Sequence, residues 1–117
     1  YEAPPIGKFT FRMTPQEREA ACEQQARALN ELCELIDRER PGLTVLDELN
    51  VALACGMVTR ENAERLIDAA LMFGDVVSTG RNAPEWLREK ADYVSEIIAR
   101  KHPFQTEKLA AREGIEY

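Results

Sequence analysis

The chain has 117 residues, with 21 acidic against 15 basic side chains and a formal net charge of −6. That length holds one domain at most, and an acidic chain with no basic stripe excludes nucleic acid as the main partner. No apolar run reaches the roughly 18 residues of a membrane span and nothing resembles a signal peptide, so a soluble, cytoplasmic protein is the expectation.

The opening Tyr1-Glu2-Ala3-Pro4-Pro5 reads as the middle of a longer chain or as a processed or engineered terminus. Residues 1–13 lack helical periodicity and carry Pro4-Pro5, Gly7 and the alternating Phe9-Thr10-Phe11, so they form an irregular or extended lead-in. Thr14-Pro15-Gln16-Glu17 then has the form of a helix start, with Thr14 as N-cap, Pro15 at the first helical position and Glu17 closing a capping box. The helix runs to about Arg40. Its stripe of Cys22, Ala26, Leu29, Leu32, Cys33 and Ile36 recurs at steps of three and four, leaving Glu19, Glu23, Glu31, Glu34 and Arg38 to the solvent. Pro41-Gly42 ends it.

Leu43 to Leu49 is a short apolar run interrupted by two adjacent carboxylates, Asp47 and Glu48. A buried parallel strand reads as such a run, and ligands in α/β folds sit at the carboxyl ends of strands. This is the Walker B pattern. Its usual companion is the phosphate loop Gly-x-x-x-x-Gly-Lys-Ser/Thr, whose backbone N–H groups cradle phosphates. None of the six glycines supplies that loop: the only Gly-Lys pair is Gly7-Lys8, which is followed by Phe9 and has Glu2 where the first glycine belongs. The alternative for the pair is that Asp47 caps the following helix and Glu48 is simply solvated.

Beyond the carboxylates, Leu49 to Cys55 forms a short helix ended by Gly56. Thr59 caps a further helix whose stripe is Ala63, Leu66, Ile67, Ala70 and Leu71, stopping near Gly74. Asp75 to Thr79 is a second strand, with Gly80-Arg81-Asn82 as the loop at its carboxyl end. Pro84 opens another helix to about Lys90, in which Trp86 and Leu87 pack inward. A third strand spans roughly Tyr93 to Ile98, followed by Lys101-His102-Pro103-Phe104 and a polar tail with one helical turn before Gly114. Strands alternating with helices give a parallel sheet. The expected organisation is a single partial domain: lead-in 1–13, long helix 14–40, α/β core 43–104 and tail 105–117.

Cys22, Cys33 and Cys55 have neither metal-ligand nor redox-motif spacing. Cys22 and Cys33 lie eleven positions apart, about 16 Å along a helix and beyond disulfide reach. They read as small core side chains in a reducing compartment. His102 is the only histidine and, standing before Pro103, reads as structural or surface.

In order, these segments resemble the bacterial ATP:corrinoid adenosyltransferases of the P-loop class. The resemblance rests on Phe9-Thr10-Phe11, the Leu46 to Asn50 run, Thr79-Gly80-Arg81-Asn82-Ala83-Pro84, Ala91-Asp92, Lys101-His102-Pro103-Phe104 and the terminal Gly114-Ile115-Glu116-Tyr117. It covers about Phe9 to Tyr117, the carboxyl-terminal part of that family. The chain departs from the family in lacking the first strand and phosphate loop, in carrying Gln105-Thr106-Glu107-Lys108 where a glycine-containing turn is usual, and in having Phe11 where tryptophan is common.

The resemblance implies an α/β fold, a three-layer parallel sheet of the P-loop NTPase (RecA-like) type, here incomplete, with about three strands and three to four helices. It implies transfer of the 5′-deoxyadenosyl group of ATP to the cobalt of a corrinoid, in cobalamin biosynthesis or salvage, with this chain alone inactive. By resemblance, Asp47 and Glu48 serve Mg²⁺; Thr79, Arg81 and Asn82 join them at the nucleotide; Phe9 and Phe11 press on the corrin's lower face. The implied reactants and cofactors are ATP, corrinoid and Mg²⁺, with a flavoprotein as reductant and a homodimer or edge-mediated oligomer as the assembly. Two alternatives stand beside this: a non-catalytic corrinoid- or partner-binding module, and a fragment of another P-loop ATPase. For Gly80-Arg81-Asn82 the alternative is an ordinary helix-entry loop with Asn82 capping and Arg81 in water.

Overall fold

The computed structural model describes Tyr1 and residues 12–101. The aromatic pair Phe9 and Phe11, His102 and the tail expected at 105–117 lie outside the described residues. The element order is α1 (Pro15–Glu39), β1 (Leu43–Leu46), α2 (Leu49–Ala54), α3 (Arg60–Leu71), β2 (Asp75–Ser78) and α4 (Glu85–Lys90).

Local signals in the sequence account for the boundaries. At the start of α1 the Thr14 hydroxyl accepts from the Glu17 N–H at 3.2 Å, and the Glu17 carboxylate accepts from the Thr14 N–H at 2.7 Å. The two otherwise orphaned donors satisfy each other's residues, and Pro15 loses nothing because its position needs no N–H. The other end closes at Arg40, left-handed at φ 49°, whose N–H reaches Ile36 O at 2.8 Å while its guanidinium lies over the Phe73 ring. Thr59 caps α3 by accepting from the Asn62 N–H at 3.2 Å.

The two strands pair in parallel, Leu43 with Asp75 through Leu46 with Ser78, and α2 and α3 form the crossover that parallel pairing requires. Side chains alternate along each strand. Leu46 is buried and Val76 packs against the core, whereas Leu43, Val45 and Val77 are exposed. The covered face meets α3, which also packs along α1. Leu66, 1% exposed, and Ala63 and Ala70, both fully buried, are the centre of that contact, and Ile36 reaches it from α1. At the far end Leu87 of α4 enters the same core, Arg60 stacks on Trp86, and Lys90 pairs with Asp68 at 2.8 Å. One apolar core therefore unites the helices on one face of the sheet. Among the described residues, no element covers the other face.

Two expectations are corrected. The described residues hold two strands rather than about three: Tyr93 to Ile98 forms no ladder, and Tyr93 and Ile97 are 94% and 96% exposed. Its β-branched and aromatic composition suits a strand, but a strand also needs a neighbouring edge to satisfy its backbone. Leu71, expected on the packed stripe of α3, is exposed at the helix end.

Glycine is required where the strands begin. A Cβ on Gly74 would stand 2.2 Å from the Gly42 carbonyl oxygen, the atom that accepts from the Asp75 N–H, whereas a Cβ on Gly42 would meet nothing within 4 Å. Gly74→Ala should therefore cost about 1–3 kcal/mol in chemical denaturation by overpacking a backbone contact. Gly42→Ala should stay within about 0.5 kcal/mol of the parent. Equal effects would contradict this account of the strand entrance.

Candidate functional site

Because the strands are parallel, the segments leaving β1 and β2 emerge at the same end of the sheet. One carries Asp47 and Glu48, and the other carries Thr79, Gly80, Arg81 and Asn82. The ladder continues one step beyond the strands, with the Thr79 N–H donating to Leu46 O at 3.2 Å. That bond sets Thr79 beside the carboxylates. Its hydroxyl donates to Asp47 Oδ1 at 2.6 Å and accepts from the Glu48 N–H at 3.0 Å.

The backbone here turns sharply. Glu48 is left-handed at φ 57° and precedes α2 without a side-chain cap bond. An exposed non-glycine residue in this region carries a conformational cost, and such residues are concentrated where a ligand or a turn requires them. Asp47 is not the helix cap that one reading of the sequence assigned to it; its carboxylate binds the opposite strand's hydroxyl instead. Among the described residues, no hydrogen bond or ion pair holds the Glu48 carboxylate or the Arg81 guanidinium, and both residues are exposed. Asn82 is also exposed and left-handed, at φ 59°, and the residue at the N-cap of α4 is Pro84, so Asn82 is not its cap.

Thus Asp47, Glu48 and Thr79 are brought into direct contact, and Arg81 and Asn82 occupy the adjoining loop. The sequence reading missed Asn50, the one buried polar residue among those described, at 7% exposure. Its Nδ2 donates to Gly80 O at 3.2 Å, its Oδ1 accepts from the Ser78 hydroxyl at 2.6 Å, and its N–H donates to Thr79 O at 3.1 Å. The signal available in sequence was an asparagine inside a short, otherwise apolar helix directly after the carboxylates.

Among the described residues, no cluster of three or more His, Cys, Asp or Glu side chains could hold a metal ion. An all-protein cage is therefore not present in them. Two exposed carboxylates suit a different mode, that of Mg²⁺, which keeps several waters and binds through one or two carboxylates together with substrate phosphates. The thiols are apart from this end. Cys22 Sγ donates to Gly56 O at 3.4 Å, and Cys33 has its thiol pKa raised by burial, partly offset by Arg65. Cys33 packs against the apolar core.

Residues 2–117 match the family model described as ATP:corrinoid adenosyltransferase BtuR/CobO/CobP, and the chain belongs to that family. It is 34% identical over 110 residues to the corrinoid adenosyltransferase of a Sinorhizobium species, a match covering 93% of this chain and 50% of the relative. With the corrinoid adenosyltransferase of Pseudomonas aeruginosa it shares 33% identity over 109 residues, covering 93% of this chain and 52% of the relative. The chain thus spans about half the length of these curated relatives. No solved structure matched significantly.

The hydroxyl of Thr79 is the hinge of the arrangement. Thr79→Val should speed amide hydrogen exchange at Glu48 by about tenfold, the loss of one hydrogen bond of about 1.4 kcal/mol, while Thr79→Ser restores protection. Unchanged exchange at Glu48 in Thr79→Val would contradict the bonding described.

Proposed function

We propose that these residues supply the metal-facing end of an ATP:corrinoid adenosyltransferase site. The observation that carries the reading is the joining of Asp47 and the Glu48 backbone through the Thr79 hydroxyl, at the carboxyl end of a parallel strand pair. In the reaction the reduced cobalt of the corrinoid attacks C5′ of ATP, a cobalt–carbon bond forms, the C5′–oxygen bond breaks and triphosphate leaves. Cobalt is the nucleophile, so the protein's tasks are to orient the nucleotide and stabilise charge.

Each residue then has a task. Asp47 and Glu48 would hold Mg²⁺, with water and substrate phosphate supplying the remaining oxygens. Mg²⁺, when bound, neutralises charge on the triphosphate. Thr79 fixes the Asp47 carboxylate and the Glu48 backbone, Arg81 offers a guanidinium for bidentate pairing with phosphate, and Asn82 adds a neutral hydrogen bond. Phe9 and Phe11 bear on the corrin's lower face, displacing its axial base so that cobalt is more easily reduced by a flavoprotein partner. This last assignment rests on the family resemblance.

The sheet face of Leu43, Val45 and Val77, bare among the described residues, supports an incomplete three-layer, RecA-like sheet, since a second helical layer would cover it. The outer strand edges, unpaired among the described residues, favour a homodimer or another edge-mediated assembly in the cytoplasm. The same bare face favours a second reading, a non-catalytic corrinoid- or partner-binding module. Corrinoid binding without ATP binding would select it.

The 117 residues by themselves contain no Gly-x-x-x-x-Gly-Lys-Ser/Thr loop. Without that cradle several charge-assisted hydrogen bonds to phosphate are missing, each of about 1.5–3 kcal/mol. Calorimetric titration of this polypeptide with MgATP should therefore give binding much weaker than micromolar, and adenosyl transfer should be negligible. Micromolar affinity for MgATP would contradict this account.

A further inference from the structure

Asn50 makes hydrogen bonds to three consecutive residues on the opposite strand's exit: the Ser78 hydroxyl, the Thr79 carbonyl and the Gly80 carbonyl. It uses a side-chain acceptor, a backbone donor and a side-chain donor. Only a carboxamide of this length offers both side-chain functions. The approach is close: Gly80 is at φ +115°, and a Cβ there would lie 3.2 Å from Asn50 Cβ and from the Val51 backbone nitrogen. The loop can pass over the start of α2 because residue 80 is glycine.

Thr79 is the middle member of this triplet and the one whose hydroxyl binds Asp47 and Glu48. With its flanking residues held by one carboxamide and its own carbonyl held by the Asn50 N–H, Thr79 has its position set from beneath. We infer that Asn50 is the positioning residue of the site: it fixes Thr79 and thereby the Asp47 carboxylate and the Glu48 backbone, without itself touching metal or nucleotide. The inference deepens the proposed function and rests on it only for the consequence at the metal. The rigidity of the strand-end loop follows from the hydrogen bonds alone. A buried carboxamide bonded through both its nitrogen and its oxygen also specifies its partners sharply, because losing one partner leaves an unpaired polar group in the core.

The test uses the 117-residue chain, with amide exchange followed residue by residue and Mn²⁺ as the paramagnetic probe. Asn50→Ala should raise exchange at Glu48 and Thr79 by about tenfold or more, while the central amides of α1 and α3 keep their rates in conditions where the variant is folded. Mn²⁺-induced broadening at Asp47 and Glu48 should require about tenfold more metal, the scale typical for residues supporting a metal ligand from behind. Ser78→Ala, which removes one partner and leaves the asparagine in place, should move the same amides by a smaller factor. Asn50→Asp, which keeps the size and the acceptor but sets a carboxylate oxygen against the Gly80 carbonyl, should not rescue. Val51→Ala serves as the packing control and should leave Mn²⁺ broadening at the parent level.

Wild-type exchange at Glu48 and Thr79 in both Asn50→Ala and Ser78→Ala would overturn the inference. So would acceleration spread equally over α1, α3 and the loop, which marks a general structural role. If Asn50→Ala fails to fold, Ser78→Ala decides by the same amides. Absence of Mn²⁺ broadening at Asp47 and Glu48 in the parent chain would remove the metal reading of the proposed function, with Asn50 still judged on exchange.

Discussion

The parallel register of β1 on β2 is the constraint on which the rest depends. With Leu46 opposite Ser78, the next residue on β2, Thr79, is delivered to the carbonyl of Leu46 and its hydroxyl to Asp47. A slip of one residue would turn every side chain of β2 to the other face. Val76 would leave the core for solvent, and the residue beside Asp47 would be Ser78 or Gly80. The core enforces the register from within, through Leu46 and Val76 against the helices, and Gly74 enforces it at the entrance, where only a residue without Cβ lets the two chains approach.

The chemical character of the site follows from that geometry. The carboxyl ends of parallel strands are where α/β folds present loops to ligands, and here the two loops contribute opposite charges, Asp47 and Glu48 from one and Arg81 from the other. Asp47 is restrained by a short hydrogen bond, while the Glu48 carboxylate is held by nothing among the described residues. One carboxylate is thus held in place and the other is not. The proposed adenosyl transfer would ask the protein for orientation and charge stabilisation rather than a nucleophile, and two carboxylates with a guanidinium in the adjoining loop are groups of that kind. Of the thiols, burial pushes the Cys33 pKa up and Cys22 bonds to the turn after α2.

Much of this was legible in the sequence where the determinant is local. Thr14-Pro15-Gln16-Glu17 and Thr59 announce their helices because capping involves residues three positions apart. The apolar run ending at Asp47-Glu48 shows its strand, and Gly80-Arg81-Asn82 shows the loop facing it. Illegible were features that depend on what another segment does. Tyr93 to Ile98 has the composition of a strand, yet pairing is a property of two segments, and this one has no partner among the described residues. Asn50 looked like an ordinary residue of a short helix, because its function lies in contacts with residues 28 to 30 positions away. The left-handed turn at Glu48 was hidden for the same reason: its N–H is satisfied by the Thr79 hydroxyl, a residue of the other strand's exit.

The central claim is that the two strand exits act as one unit through Thr79 and Asp47. A double-mutant cycle combining Asp47→Ala with Thr79→Val, read by chemical denaturation at low ionic strength, addresses it directly. The account predicts a coupling of about 0.5–1.5 kcal/mol, the range for a hydrogen bond to a partly solvated carboxylate. Strict additivity of the two substitutions would mean that the exits are independent, and would contradict it.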